Sequence, residues 1–93
     1  MNSEVFRVTV NFRGRVQGVG FRWNVRDESS GYEVAGYVKN LSNGSVELVA
    51  EGDKAEVNRF LASAENRMCG YVSDKTVLER VGQSQFEGFV IAY

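Results

Sequence analysis

A glycine-spaced segment followed by an arginine is the part of this sequence best suited to bind an anion. It runs Gly14-Arg15-Val16-Gln17-Gly18-Val19-Gly20 and leads into a predicted helix whose first turn contains Arg22. Glycines allow backbone amides to converge on one point, and a helix N-terminus adds unpaired amides and the positive end of its dipole. The Arg22 guanidinium can donate to two phosphate or carboxylate oxygens. These features predict an oxyanion cradle of phosphate size, although a tight strand-to-helix turn with a solvated arginine would use the same residues.

The spacing of the glycines excludes two common nucleotide-binding loops. A Walker loop has a Lys-Ser or Lys-Thr pair after its last glycine, and none follows Gly20. A dinucleotide-binding fingerprint has a third glycine where Trp23 stands. The segment therefore belongs to neither class.

The amino-acid composition removes much other catalytic chemistry. The chain has 93 residues, no histidine and one cysteine. A Ser-His-Asp or Cys-His pair, a His-ligated zinc site and an internal disulfide are therefore excluded. Because Cys69 has no base or second thiol to activate it, we interpret it as a partly buried residue at a helix end.

The net charge of −1 conceals an uneven distribution along the chain. Residues 1–26 contain five arginines and one glutamate, a net charge of +4, whereas residues 27–93 contain six basic and eleven acidic residues, a net charge of −5. This asymmetry indicates a local anion site near the N-terminal part rather than a nucleic-acid-binding face. Arginines scattered over solvated strand faces would give the same distribution.

No segment is typical of a targeting signal or a membrane span. Met1-Asn2-Ser3-Glu4 lacks a basic region followed by an apolar one, and no apolar run approaches membrane-spanning length. Hydrophobic residues make up 43% of the chain and charged residues 25%, as in ordinary globular domains. We expect a single domain over residues 1–93, located in the cytoplasm.

A strand and a helix flank the glycine-spaced segment. Apolar residues alternate with polar ones along the strand, at Phe6, Val8, Val10 and Phe12. The helix has a stripe at helical spacing that is closed by Gly31 and consists of Phe21, Val25, Ser29 and Tyr32. Because serine is a poor core residue, we expect this helix to be the weaker of two.

A hairpin, a second helix and two more strands follow. Strands over residues 34–41 and 45–52 flank Ser42-Asn43-Gly44, and an Asn-Gly pair between alternating segments is the strongest short-range hairpin signal. Asp53 and Glu56 have the spacing of a capping box. The apolar positions of the helix behind them, which ends near Gly70, are Val57, Phe60, Leu61, Ala64 and Met68. The last two strands are predicted around residues 71–81 and 86–93.

The predicted order of elements is β-α-β-β-α-β with an extra C-terminal strand, the split βαβ or ferredoxin-like α+β fold with two helices on one face of a mixed sheet. In this fold the first two strands run parallel, with the third strand between them and antiparallel to both. The ends of the first two strands therefore lie at the same edge of the sheet. We expect this edge to bring the glycine-spaced segment close to Asn40.

Two segments resemble the signature of the acylphosphatase family. The first is Gly14-Arg15-Val16-Gln17-Gly18-Val19-Gly20-Phe21-Arg22. The second is Gly36-Tyr37-Val38-Lys39-Asn40, followed by Asn43-Gly44-Ser45-Val46-Glu47 and Glu51-Gly52. The resemblance continues to Phe89-Val90-Ile91 and so covers essentially the whole chain.

The resemblance implies hydrolysis of the carboxyl-phosphate bond of acyl phosphates, without a metal or cofactor. It assigns binding of the phosphoryl group to Arg22 and positioning of the attacking water to Asn40. It assigns further phosphate binding to the backbone amides of the loop Arg15, Val16, Gln17, Gly18, Val19 and Gly20. The chemistry agrees, because the leaving group is a carboxylate that needs no general acid, and phosphoryl transfer depends mainly on positioning and charge stabilisation.

The sequence departs from the family pattern at four places. Lys39 stands where arginine is common, Tyr37 where tryptophan is usual, and Cys69-Gly70-Tyr71 where Gly-Pro is frequent. The first helix is more polar than usual through Asp27-Glu28-Ser29-Ser30. These departures leave the stability of the domain and the detailed conformation of its loops open.

Two other functions stay open. The same cradle would serve a non-catalytic ferredoxin-like module that binds phosphate or an acyl phosphate metabolite. Residues 88–93 faintly resemble an RNA-recognition strand, but they lack its leading basic residue and lie in the acidic part of the chain. We favour a hydrolase with a small-molecule substrate, and we expect a monomer with no nucleic-acid or membrane partner.

Overall fold

A computed structural model describes residues 4–93. Met1–Ser3, which belong to the N-terminal segment predicted to contain no targeting signal, lie outside the described residues. The elements are β1 (Glu4–Gly14), α1 (Phe21–Ser29), β2 (Val34–Asn40), β3 (Val46–Gly52), α2 (Lys54–Arg67), a 3₁₀ turn (Cys69–Tyr71), β4 (Val72–Gln83) and β5 (Phe89–Ala92). This order confirms the predicted ferredoxin-like α+β fold with its extra C-terminal strand.

The sheet has the strand order β4-β1-β3-β2-β5. Strand β3 pairs antiparallel with both β1 and β2, so β1 and β2 run parallel, as predicted. Val46 lies opposite Phe12 of β1 and also opposite Asn40 of β2. Because neighbouring strands are about 4.8 Å apart, the ends of β1 and β2 are separated by only about two strand spacings.

The core lies between the two helices and one face of the sheet. The alternating residues of β1 point into it, and α2 contributes Val57, Phe60, Leu61 and Ala64. Helix α1, with 9 residues against 14 for α2, is the shorter one. Its Ser29 is buried and donates its hydroxyl to the carbonyl of Arg26 at 2.5 Å, so the polar group in the stripe is satisfied within the helix. Tyr32 lies beyond the helix and packs on Phe60.

Two local predictions need correction. The carboxylate of Asp53 does cap α2, accepting from the amide of Ala55, but Glu56 accepts from the amide of Glu33 at 2.8 Å and from Arg59. The reciprocal half of the capping box is therefore wrong, because a chain segment distant in sequence supplies the donor for Glu56. Cys69 is exposed rather than partly buried, since it lies in the 3₁₀ turn after α2.

A buried carboxylate holds the segment before β5 against the sheet. Glu51, only 2% exposed, accepts from the guanidinium of Arg7 at 2.7 Å and from the amides of Gln85 and Phe86. Burial alone would raise the pKa of Glu51, but these donors outweigh it and lower that pKa below its ordinary value. The segment is then placed so that Gly88 accepts from the amide of Gly36, and β5 runs parallel to β2.

Candidate active site

Gly18 and Gly20 give the loop between β1 and α1 its shape. Both have left-handed backbones, with φ of 78° and 76°. Gly20 is the N-cap of α1 and offers no side chain to the amides of the first turn. Within the described residues, the amides of residues 16–20 donate no hydrogen bond to a side chain or to the backbone outside regular elements. The loop and the helix N-terminus therefore present unused donors and the positive end of the dipole.

Arg22 extends from the first turn of α1 with its charge uncompensated. Its guanidinium lies over the ring of Tyr93, 5.1 Å from the ring centroid. No acidic side chain among residues 4–93 forms an ion pair with it. Stacking on an aromatic ring orients the guanidinium without using its N–H donors, which stay available for an anion.

Asn40, at the end of β2, shares a cavity of about 210 Å³ with Arg22. Its Oδ1 atom is buried and accepts no hydrogen bond from any residue that the structure describes. An unpartnered buried amide oxygen is unfavourable unless a ligand or water supplies a donor. The geometry of Asn40 therefore fits an acceptor for a bound water molecule beside the cradle.

The structure brings together part of the predicted set of site residues. The cavity is lined by Val16, Gly18, Gly20, Arg22 and Asn40 from the prediction. Three predicted loop residues do not line it: Arg15 is exposed, Val19 packs against the core, and Gln17 points towards the β2–β3 turn. For these three only the backbone amide can serve the predicted role.

The side chain of Gln17 connects the loop to the turn that follows Asn40. Its Nε2 donates to the carbonyl of Leu41 at 2.8 Å and to that of Ser45 at 2.9 Å. Ser45 is buried, and its hydroxyl accepts from Asn11 of β1 at 2.9 Å. Only the backbone amide of Gln17 was predicted to belong to the site; its long amide side chain within a glycine-spaced segment was the available signal for this bridge.

Four further residues line the cavity and were absent from the predicted set: Phe21 and Trp23 from α1, Ile91 from β5, and Tyr93. The position of Trp23 directly after Arg22 was a usable signal. Ile91 and Tyr93 reach the site only because β5 pairs with β2, a contact between residues 53 positions apart that no local pattern encodes.

The departures from the family pattern at residues 37 and 39 lie away from the cavity. Alternation along β2 places both side chains on the sheet face opposite the helices. The hydroxyl of Tyr37 donates to Glu47 at 2.6 Å. Burial, together with this carboxylate, raises the pKa of Tyr37 to about 12. These two residues therefore belong to the support of the sheet.

The described helices and side chains also bear on membranes and metals. No helix in residues 4–93 has both the length and the apolar composition needed to cross a membrane. The same residues contain no group of three Cys, Asp or Glu side chains arranged to hold a metal ion. The polar groups of the cavity are those of an anion site with a neighbouring amide.

Comparison with known proteins gives a consistent result. The model of the acylphosphatase family matches residues 8–91. An acylphosphatase of Syntrophotalea carbinolica is 36% identical over 88 residues, covering 94% of this chain and 96% of the relative. One from Geobacillus thermodenitrificans is 39% identical over 88 residues, covering 94% of each.

Solved structures agree. The crystal structure of acylphosphatase from Bacillus subtilis superimposes with a TM-score of 0.84 at 33% identity, covering 95% of this chain and 99% of that one. An acylphosphatase from Coxiella burnetii gives a TM-score of 0.72 at 27% identity, covering 95% and 93%. With its loop, its arginine and its asparagine in one cavity of this fold, the chain belongs to the acylphosphatase family.

Proposed function

We propose that this enzyme hydrolyses acyl phosphates to a carboxylate and inorganic phosphate at the cavity between α1 and the end of β2. The observation that supports this most is the pairing of an uncompensated guanidinium, Arg22, with an unpartnered buried oxygen, that of Asn40, in the same cavity. The first can bind the phosphoryl oxygens, and the second can accept a hydrogen bond from the attacking water.

In the proposed mechanism the phosphoryl group is bound by Arg22 and the loop amides of residues 15–20. Oδ1 of Asn40 accepts a hydrogen bond from the attacking water, and this bond orients a lone pair of the water oxygen towards phosphorus. A new oxygen–phosphorus bond forms in line as the bond to the acyl oxygen breaks, and the carboxylate leaves with the bonding electrons. The proton of the water passes to a phosphate oxygen. The leaving carboxylate is stable without protonation, so no general acid is required.

The remaining parts of the proposal concern the form of the active protein. We propose that it acts as a monomer of one domain over residues 1–93, in the cytoplasm, without metal, cofactor or nucleic acid. Support for the monomer comes from the cavity, since the residues of one chain are sufficient to bring Arg22 and Asn40 together in it. Support for the cytoplasm comes from the composition, since a lone cysteine requires no oxidising compartment.

Hydrolysis of benzoyl phosphate in the presence of EDTA tests the function. We expect steady turnover by the wild type and a loss of about 10²-fold or more in kcat/KM for Arg22→Gln, because a preorganised charged donor to the phosphoryl group is removed. The matched control is Arg59→Gln on α2, where the arginine is exposed and does not line the cavity.

Three outcomes would contradict the proposal. Phosphate binding without turnover would indicate the non-catalytic binding module instead. Turnover abolished by EDTA would exclude the metal-independent mechanism. Equal losses in Arg22→Gln and Arg59→Gln would show that the loss of a positive charge acts in general rather than through Arg22.

A further inference from the structure

The mouth of the cradle carries two aromatic side chains that are largely in contact with solvent. Trp23 is 60% exposed and Tyr93 is 91% exposed, and both line the cavity that contains Arg22 and Asn40. Exposed aromatic groups beside a concave polar site commonly contact a ligand. The ring of Tyr93 already faces the Arg22 guanidinium, whereas the indole of Trp23 has no ring partner among residues 4–93.

Trp23 also borders a second cavity. This cavity has a volume of about 350 Å³, lies between α1 and β5, and is lined further by Arg26, Asp27, Ser29, Ser30, Val34 and Phe89. The indole is thus a shared wall between the phosphate cradle and a larger open space. A substrate whose phosphoryl group is in the cradle has room for its acyl group over this ring.

The chemistry of the cradle lining indicates which acyl groups fit. Apart from Arg22 and Asn40, its side chains are apolar or aromatic: Val16, Phe21, Trp23, Ile91 and Tyr93. Arg22 and Asn40 are both assigned to the phosphoryl group and the water. The polar side-chain groups that remain are the Tyr93 hydroxyl and the Trp23 indole N–H, each at the edge of an aromatic ring, whereas the indole face can stack on a planar acyl group.

We propose that Trp23 forms an acyl-binding subsite that favours aromatic acyl groups over small aliphatic ones. The inference deepens the proposed function and rests on it for the position of the phosphoryl group. Trp23 contacts the acyl moiety and not the reacting phosphorus, so it determines specificity and takes no part in the chemistry. Stacking between aromatic groups favours the aromatic ligand by roughly two- to tenfold in affinity.

Non-hydrolysable phosphonates test the subsite without turnover. Phenacylphosphonate and acetonylphosphonate replace the bridging oxygen by a methylene group and differ only in carrying a phenyl or a methyl group. We expect isothermal titration calorimetry to give the phenyl compound the lower Kd by roughly two- to tenfold. Trp23→Ala should bring the Kd ratio close to one, and Trp23→Phe should retain most of it. Tyr71→Ala is the matched control, since Tyr71 is an exposed aromatic residue outside both cavities.

Intrinsic fluorescence gives a second readout, because Trp23 is the only tryptophan in the chain. We expect phenacylphosphonate to change the emission of the wild-type protein more than acetonylphosphonate does at equal saturation. A Kd ratio near one in the wild type, or a ratio unchanged by Trp23→Ala, would overturn the subsite even if acyl phosphates are hydrolysed. A Trp23-dependent ratio in a protein that hydrolyses no acyl phosphate would support the subsite and contradict the proposed activity.

Discussion

Replacing Asn40 by alanine should separate catalysis from stability. The side chain of Asn40 makes no hydrogen bond with a described residue, and its Oδ1 is buried without a donor. An asparagine with a purely structural role at the end of a strand would be expected to form hydrogen bonds with other groups of the fold. The arrangement is the one expected of a residue whose partner is a substrate water, so that its removal costs activity while the fold is kept.

The expected magnitudes follow from these contacts. Because the Asn40 side chain makes no hydrogen bond within residues 4–93, Asn40→Ala removes no intramolecular bond of about 1 kcal/mol and should leave the free energy of unfolding within about 1 kcal/mol of the wild-type value. The same substitution removes the group proposed to orient the attacking water. We expect kcat for benzoyl phosphate to fall by about 10²-fold or more, as when a preorganised hydrogen-bonding group is deleted.

Asn11→Ala provides the matched comparison. Asn11 is half-buried in β1, donates to the hydroxyl of Ser45 at 2.9 Å and accepts from Arg13 at 2.8 Å. Two lost hydrogen bonds of about 1 kcal/mol each predict a protein roughly 2 kcal/mol less stable. Because Asn11 does not line the cavity, its kcat should stay within about threefold of the wild type.

Urea denaturation and steady-state kinetics on the same three proteins decide the question. Full activity in Asn40→Ala would show that the role assigned to Asn40 is wrong. A loss of activity accompanied by a loss of stability as large as that of Asn11→Ala would refute the reasoning from the buried oxygen, because the effect would then come from the fold.

Four further perturbations have defined outcomes. Gln17→Ala should lower kcat/KM by about tenfold, since two bonds between the loop and the turn after β2 are lost; unchanged kinetics would show that the bridge does not position the site. The pKa of Glu51 is lowered in the folded protein, so the stability that this carboxylate contributes is present above its ordinary pKa of 4.5 and is lost as the pH falls below that value. Urea titrations from pH 7 to 3 should show this decline in stability, and the decline should be smaller in Glu51→Gln. Gly36→Ala should prevent stable folding, because a Cβ there would lie 1.9 Å from the carbonyl oxygen of Val49, and thermal denaturation of this variant should show no cooperative transition. The pH–rate profile should show no protein transition near 6.5, since the chain lacks histidine; a transition that is absent from the substrate's own titration would contradict this.

The buried carboxylate of Glu51, on the sheet face opposite the helices, is connected to the active site through β5. Glu51 fixes the segment before β5, and β5 pairs with β2 so that Ile91 and Tyr93 reach the cavity. The Arg22 guanidinium is then held over the ring of Tyr93. Glu51, on the face of the sheet opposite the helices, is thus linked to the position of Arg22 through a strand and not through direct contact.

Much of the fold could be predicted from local patterns. Alternation along β1, the Asn-Gly pair between β2 and β3, and the apolar stripe of α2 are each encoded within about ten residues, the range over which strand and helix periodicity act. The capping of α2 shows where this local reasoning ends. Asp53 caps the helix as its spacing predicts, but Glu56 binds the amide of Glu33, which lies 23 residues away in the chain.

The sequence by itself determined the chemistry that is possible here: glycines that accept left-handed backbone, an arginine in a first helical turn, an asparagine at a strand end, and no histidine. The tertiary structure decided which of these groups meet. Val46 pairs with both Phe12 and Asn40, and this common register places the loop and Asn40 at one cavity. The Gln17 bridge and the Tyr93 ring beside Arg22 arise in the same way. Each is a contact set by strand pairing between distant segments, and local periodicity holds no information about it.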